Sequence, residues 1–216
     1  MPPAIKEGRA TTDLETEWIR CATNPGHFID SHCQILDNVF GQIPFHLYPF
    51  QWAICRDFLG FWGNVILKPR QMGISWLTAA MALWLGNFYC HKNILIISIK
   101  DKVAKRFLEK VRFMYTNLSP GLRAGITNGN EYKGEVGTAS VIELANGSRI
   151  ESIPTSENAG RSENVALLIV DEAAHIQHFE KIWASAYHTL STGGQAMILS
   201  TPNGIGNPYH LSLIHI

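Results

Sequence analysis

The segment at residues 165–170, Val-Ala-Leu-Leu-Ile-Val, has no polar alternation and reads as a strand buried on both faces. Strands of this kind belong to parallel sheets, in which crossover helices cover both sides. The rest of the chain keeps the same rhythm. Residues 64–67 and 93–99 are further apolar runs, each followed by a helical pattern, over about 75–88 and 102–117, and the strand signal returns at 196–200. Ahead of them Trp52, Cys55, Phe58 and Leu59 recur at helical spacing and predict a helix over about 48–61. Only the middle departs from this pattern. Residues 140–145 and 148–153 flank Asn146-Gly147, a dipeptide that favours a tight turn, so a β-hairpin is expected near 140–153 at an antiparallel edge. The fold class is therefore α/β, with a mainly parallel central sheet flanked by helices.

A chain of 216 residues suffices for one such domain with a large core. Residues 1–45 are polar and mixed, with turn clusters at Asn24-Pro25-Gly26 and at 41–44, and read as a leader region with short helices. Residues 46–216 read as the domain itself, C-terminally incomplete because 211–216 offer no closing helix. Lys and Arg together number 18 and Asp and Glu also 18, which excludes the strongly basic footprint of many nucleic-acid binders and leaves any such contact local. Cys21, Cys33, Cys55 and Cys90 are irregularly spaced, with no CxxC and no paired-histidine pattern, and suggest neither a zinc site nor a disulfide framework. Residues 71–90 carry no formal charge, yet Gln71, Ser75, Thr78 and Asn87 interrupt them, so a buried helix is expected and not a membrane span. Trp52, Trp62, Trp76, Trp84 and Trp183 read as core and not as a base-stacking surface.

Two segments carry chemistry. Lys68-Pro69-Arg70-Gln71-Met72-Gly73-Ile74-Ser75 follows a strand and precedes a long helix, where backbone amides and the helix N-terminus favour a polyphosphate. Against the pattern G-x-x-x-x-G-K-[ST], Gly73 and Ser75 are in place, but Ile74 stands where lysine is usual and Lys68 stands at the first glycine. Ser75 offers a hydroxyl to magnesium, and Lys68 or Arg70 offers a cation to the phosphates. A basic β-turn is the plain alternative. In the second segment Asp171-Glu172 ends a buried apolar strand, where α/β sheets bind their ligands. Asp171 is suited to hold magnesium and Glu172 to orient or deprotonate an attacking water.

In this order the segments resemble the ATPase domain of the large terminase subunit of tailed bacteriophages, the motor that packages viral DNA into a preformed capsid. That family belongs to the additional-strand P-loop NTPases and tolerates a loop whose basic residue sits at its start, as Lys68 does. The resemblance implies a strand between the phosphate-loop strand and the Asp-Glu strand, and residues 93–99 are the expected one. It implies an adenine contact at Gln51, in Tyr48-Pro49-Phe50-Gln51, and a coupling motif at Ser200 and Thr201, in Ile198-Leu199-Ser200-Thr201-Pro202. It also implies an arginine presented to a neighbouring subunit's ATP at Arg161, with Arg70 as a rival. Each has a plain counterpart: Gln51 as a helix cap, Ser200 and Thr201 as strand-end hydroxyls, Arg161 as a loop ion pair. His175 and His178 read as surface or capping histidines.

The resemblance covers residues 45–207 and implies ATP and Mg2+ as cofactors. It implies catalytic roles for Glu172 with Arg161 or Arg70, magnesium at Ser75 and Asp171, and ATP contacts from Gln51, Lys68, Pro69, Arg70, Gln71, Met72, Gly73, Ile74 and Ser75. The implied partners are double-stranded DNA, the portal protein of the procapsid, the small terminase subunit and further copies of the chain in a ring, in the host cytoplasm and with no membrane. Lys100, Lys102, Lys105 and Arg106 are the expected local DNA contacts. Full-length members continue into an RNase H-like nuclease; nothing after Gly206 supplies its carboxylates, so ATP hydrolysis without DNA cutting is expected. A helicase-like P-loop ATPase shares the Asp-Glu-Ala-x-His pattern and stands as an alternative, as does a truncated remnant without catalysis.

Overall fold

The apolar runs become neighbouring strands. The computed structural model describes residues 12–129, 135–155, 164–190 and 193–214. Two short strands, β1 (Gln34–Asp37) and β2 (Gly41–Pro44), form a separate antiparallel hairpin. The central sheet holds β3 (Gly63–Leu67), β4 (Asn93–Ser98), β5 (Val141–Glu143), β6 (Arg149–Pro154), β7 (Leu167–Asp171) and β8 (Gln195–Ser200), in the spatial order β3-β8-β7-β4-β6-β5. Every pairing in it is parallel except β5 with β6 at the edge. All five residues of β7 are buried, as an uninterrupted apolar run requires.

One expectation about this sheet is corrected. The strand between the phosphate-loop strand β3 and the Asp-Glu strand β7 is β8, whereas residues 93–99 supply β4 on the far side of β7. The connecting helix α4 (Ile74–Phe88) returns the chain along the sheet, and the chain re-enters three strand places from β3, leaving two places that later strands fill. Thirteen of its 15 residues are buried, because α4 is sandwiched between the sheet and the N-terminal helices. No helix among the described residues is long and apolar enough to cross a membrane.

Ahead of β1 stand helices α1 (Asp13–Thr23) and α2 (Pro25–His32), with Thr12 and Glu15 forming a reciprocal cap at the start of α1. Cys21, Phe28 and Ile29 are fully buried in the same apolar cluster as α4. The Trp84 indole donates to Cys21 O at 2.8 Å and the Tyr89 hydroxyl to Ala22 O at 3.0 Å, which fixes α1 to the C-terminal half of α4. Helix α3 (Pro49–Gly60) leads into β3, and α5 (Asp101–Asn117) covers the same sheet face as α4. The opposite face is covered by α6 (Phe179–Leu190) and α7 (Pro208–Ile214).

The hairpin between β5 and β6 turns at Gly147 (φ 80°), where a tight turn is needed. The Asn146 amide donates to Gly86 O at 2.8 Å and Asn87 O at 3.2 Å, satisfying carbonyls left open at the end of α4. The expected lack of a closing helix is also corrected. Residues 208–214 form α7, and Tyr209, 2% exposed, donates its hydroxyl to Ile66 O at 2.6 Å. Among the tryptophans only some are core: Trp84 is buried, but Trp52 and Trp62 are exposed, Trp62 meeting Tyr187 edge to face.

Candidate active site

Strand periodicity brings three polar groups to one face. Ile94, Ile96, Leu167 and Ile169 point to the side covered by α4 and α5, so Ser98 and Asp171, at the same parity and in register, point there too. Lys68 follows β3 at the parity of Ile66 and is only 5% exposed. Its ammonium lies 2.6 Å from Asp171 Oδ1, 3.0 Å from Glu172 Oε1 and 3.2 Å from Ser75 Oγ. One buried cation thus ties the phosphate-loop hydroxyl to both strand-end carboxylates.

Residues 68–76 curl over this group. Gln71 (φ 65°) and Gly73 (φ 69°) adopt left-handed backbone, and Gly73 is the N-cap of α4 with no side chain satisfying the first-turn amides. Left-handed backbone before a helix start concentrates amide hydrogens into an anion-binding concavity. A Cβ at Gly73 would stand 2.9 Å from Gln51 Nε2 and would have to displace that amide, while the left-handed backbone itself favours glycine. Gln51 is 1% exposed, accepts from Tyr48 N–H at 2.9 Å as a cap of α3 and donates to Met72 O at 3.1 Å. It buttresses the loop from behind. The loop, Glu172 and Thr201 line a cleft of about 260 Å³. Pro69, Arg70, Gln71 and Met72 are exposed at its rim, while Ile74 is buried in the core.

Glu172 also sits in left-handed backbone (φ 57°), a conformation that turns the chain sharply at the strand tip. Its Oε2 accepts from the Thr201 amide at 3.2 Å and from the Thr201 hydroxyl at 3.1 Å. Burial pushes the Glu172 carboxyl up, but the Lys68 ammonium and the two Thr201 bonds together outweigh it and hold it below the usual glutamate range. Because the Thr201 hydroxyl donates to Glu172, it accepts from His175 Nε2, 3.1 Å away, so His175, exposed as expected of a surface histidine, also joins this chain of bonds. Ser200 Oγ accepts from Ala174 N–H at 3.1 Å and fixes the turn after Glu172.

Sequence reasoning missed Lys110. From α5 it lies over the ring of Trp76, a cleft residue, at 5.8 Å and over Phe107 at 5.7 Å. Burial pulls its ammonium below the ordinary lysine range, against the opposing field of Asp171 and Glu172. The available signal was its place beside Phe107 and Val111 on the buried stripe of an otherwise polar helix. Arg161 lies outside the described residues.

A hard divalent cation takes oxygen ligands, and Ser75 Oγ with Asp171 Oδ1 supplies them around one cation-binding point that Lys68 already marks. Ser98 Oγ, buried beside Asp171, has no hydrogen-bond partner among the described residues and leaves a further polar oxygen on the same sheet face. The donor set fits magnesium, and the amide-lined loop fits a polyphosphate.

Residues 65–210 match the family described as terminase large subunit, T4likevirus-type, N-terminal. The fold is similar to that of the HK97 bacteriophage large terminase, at 17% identity and a TM-score of 0.66, over 89% of this chain and 40% of that one. It is similar to the ATPase domain of the large terminase of Thermus phage P74-26, at 20% identity and a TM-score of 0.55, over 75% of this chain and 67% of that one. The UvsW helicase of bacteriophage T4 shares the fold at 13% identity and a TM-score of 0.58, over 88% and 63% of the respective chains. The chain thus spans 40% of the length of the HK97 protein.

Proposed function

The chain belongs to the terminase large subunit family, matching its T4likevirus-type N-terminal part, and from that premise we propose that it is the ATP-hydrolysing motor domain that drives double-stranded viral DNA into a procapsid. The observation that carries this reading is the Lys68 ammonium joining Ser75, Asp171 and Glu172 beneath an amide-rich loop. In this reading the loop amides and Lys68 hold the β- and γ-phosphates, Lys68 serving as the loop lysine from the other end of the loop. Ser75 and Asp171 hold magnesium, which when bound neutralises charge developing on the phosphates. Gln51, its amide engaged by Tyr48 N–H and Met72 O behind the loop, would meet adenine only on leaving those partners, Arg70 at the exposed rim and Arg161 are the candidates for the arginine that meets a neighbouring ATP, and Ser200 and Thr201 couple hydrolysis to movement.

Glu172 is the general base. Lys68 and Thr201 restrain its basicity, and a polyphosphate that engages Lys68 withdraws the stronger of these restraints. Its carboxylate then accepts the proton of the attacking water more readily. DNA, the portal protein, the small terminase subunit and further copies in a ring are the proposed partners. Lys100, Lys102 and Arg106 are exposed and Lys105 is partly so, with Lys105 held at 2.7 Å by Asp101, which leaves three cations with no ion pair among the described residues for DNA phosphates. The test is ATP turnover of the purified chain with magnesium. Glu172→Gln should lose about 10²- to 10⁴-fold, the usual contribution of a positioned base. Turnover equal to that of the parent protein would refute the assignment.

A further inference from the structure

Away from the cleft, the N-terminal helices gather a second set of reactive side chains. Glu17 and Cys21 stand one turn apart on α1, and His27 and His32 come from α2, which Asn24 and Pro25 fold back onto it. His27 Nε2 lies 2.6 Å and His32 Nε2 2.7 Å from the same oxygen, Glu17 Oε1, and Cys21 Sγ is 3.6 Å from it. One ligand atom from each of the four residues falls within 4.8 Å of all the others.

We propose that Glu17, Cys21, His27 and His32 form a closed tetrahedral zinc site that joins α1 to α2. One thiolate, two imidazoles and one carboxylate form a mixed set suited to a borderline-soft cation, and four protein ligands with no open position mark a structural site. Zinc bonds of about 2.0–2.3 Å place nitrogen and oxygen ligands about 3.3 Å apart and sulfur about 3.6 Å from oxygen. The Cys21 to Glu17 spacing already has that value, and each imidazole must withdraw from the carboxylate by only about 0.7 Å. The scaffold is firm on one side and open on the other. Cys21 is fully buried with its carbonyl held by Trp84, while the side chains of His27 and His32 are 14% and 23% exposed and leave a path for entry. Ser31 Oγ lies 3.3 Å from His27 Nδ1 and supports that ring from behind.

The protons balance. The two histidines hold the Glu17 carboxyl down at about 2, so it is ionised and only accepts, and each imidazole donates from Nε2. Burial pushes the Cys21 thiol up to about 12, so it enters the exchange as S–H. On binding, the thiol proton goes to solvent and each ring gives up the Nε2 proton that it shares with Glu17, so that Nε2 faces the metal and Nδ1 carries the N–H. His27 Nδ1–H then donates to Ser31. Binding therefore releases at least the Cys21 thiol proton. The sequence reading saw no paired-histidine pattern because the ligands follow no familiar spacing; the site exists only once α2 folds onto α1.

The test treats the purified chain with chelator and titrates it with Zn2+ against a chromophoric competitor, and in parallel with Co2+. One ion per chain and a thiolate-to-cobalt charge-transfer band are expected. Cys21→Ser should abolish the band, and Cys90→Ser, at an exposed thiol, should leave it intact. His32→Asn, at a partly exposed position that the fold tolerates, should weaken zinc binding at least about tenfold with circular dichroism unchanged. The proposal is overturned if the parent chain binds no stoichiometric ion, if the band survives Cys21→Ser or vanishes with Cys90→Ser, or if His32→Asn binds zinc as tightly as the parent. None of these readouts involves ATP, so they stand apart from the motor reading.

Discussion

Replacing Lys68 by methionine keeps most of the unbranched stem and removes the ammonium with its charge, which isolates what that group does. In the folded chain Nζ meets three oxygens at 2.6, 3.0 and 3.2 Å, and the Lys68 and Asp171 side chains are 6% and 7% exposed. The variant leaves the Asp171 carboxylate buried without its cation, a loss that runs to about 3–5 kcal/mol. Glu172, 27% exposed and still bonded to Thr201, suffers less, because water reaches it. With a urea slope of about 2 kcal/mol per molar, Lys68→Met should lower the unfolding midpoint by about 2 M. The double variant Lys68→Met with Asp171→Asn removes the stranded charge and should recover most of that loss, with a coupling between the two sites of more than about 1 kcal/mol. The assay is urea unfolding of the four proteins followed by circular dichroism. A Lys68→Met protein within about 0.5 kcal/mol of the parent, or a double variant no more stable than the single, would refute the claim that this ion pair is buried and mutually dependent.

Further outcomes follow from the same geometry. Because Glu172 is held below the usual glutamate range, it stays ionised to lower pH than a free glutamate, and its contribution to stability is present above about 4.3 and lost as pH falls through its depressed folded value. Thr201→Val removes one of the bonds that depress it, so the acid limb of kcat/KM for ATP should move up in pH; a limb that stays put would show that Thr201 does not tune the base. Gly73→Ala forces a side chain into left-handed backbone and against Gln51, costing about 1–2 kcal/mol in thermal unfolding and weakening nucleotide binding, whereas an unchanged Tm would mean the loop is not fixed by that glycine. Tyr209→Phe deletes a buried 2.6 Å bond to Ile66 O and should cost about 1–2 kcal/mol; no change would show that α7 does not dock on β3.

The elements were legible wherever a local period decided them. The apolar runs became β4, β7 and β8 within a residue or two of their expected limits, and α4 and α5 began one residue earlier than expected. Spatial order was not legible. β4 and β8 are equally apolar and equally long, so no residue in either marks which of them lies beside β7 toward the phosphate loop. The hairpin β1–β2 and the helix α7 were missed for a related reason, since four polar-mixed residues or seven terminal ones carry too short a pattern to rise above a loop. Around Lys68, the grouping of Ser75, Asp171 and Glu172 was readable because chemistry restricts residue type at a strand tip and a helix start. Lys110 and His175 were not, because each acts through a neighbour, Trp76 or Thr201, that only folding supplies.

The displaced lysine has a spatial answer where the linear pattern gave a mismatch. A loop lysine at the first helical position would project from α4; here that position is Ile74, 5% exposed and packed in the core beneath the helix. An ammonium there would have to be buried without water, at a cost of several kcal/mol unless paired. Moving the cation to the end of β3 lets the strand aim it along the sheet face, where Asp171 from β7 already points and where the start of α4 brings Ser75 within 3.2 Å. β8 separates the two strand tips, so the flexible stem of lysine, longer than that of any acid, is what spans the gap. Its charge is then compensated on two sides, and Ile74 is free to anchor the helix start by burial. The exchange of Lys68 and Ile74 is therefore one change in two places: the cation keeps its partners, and the helix gains an apolar anchor.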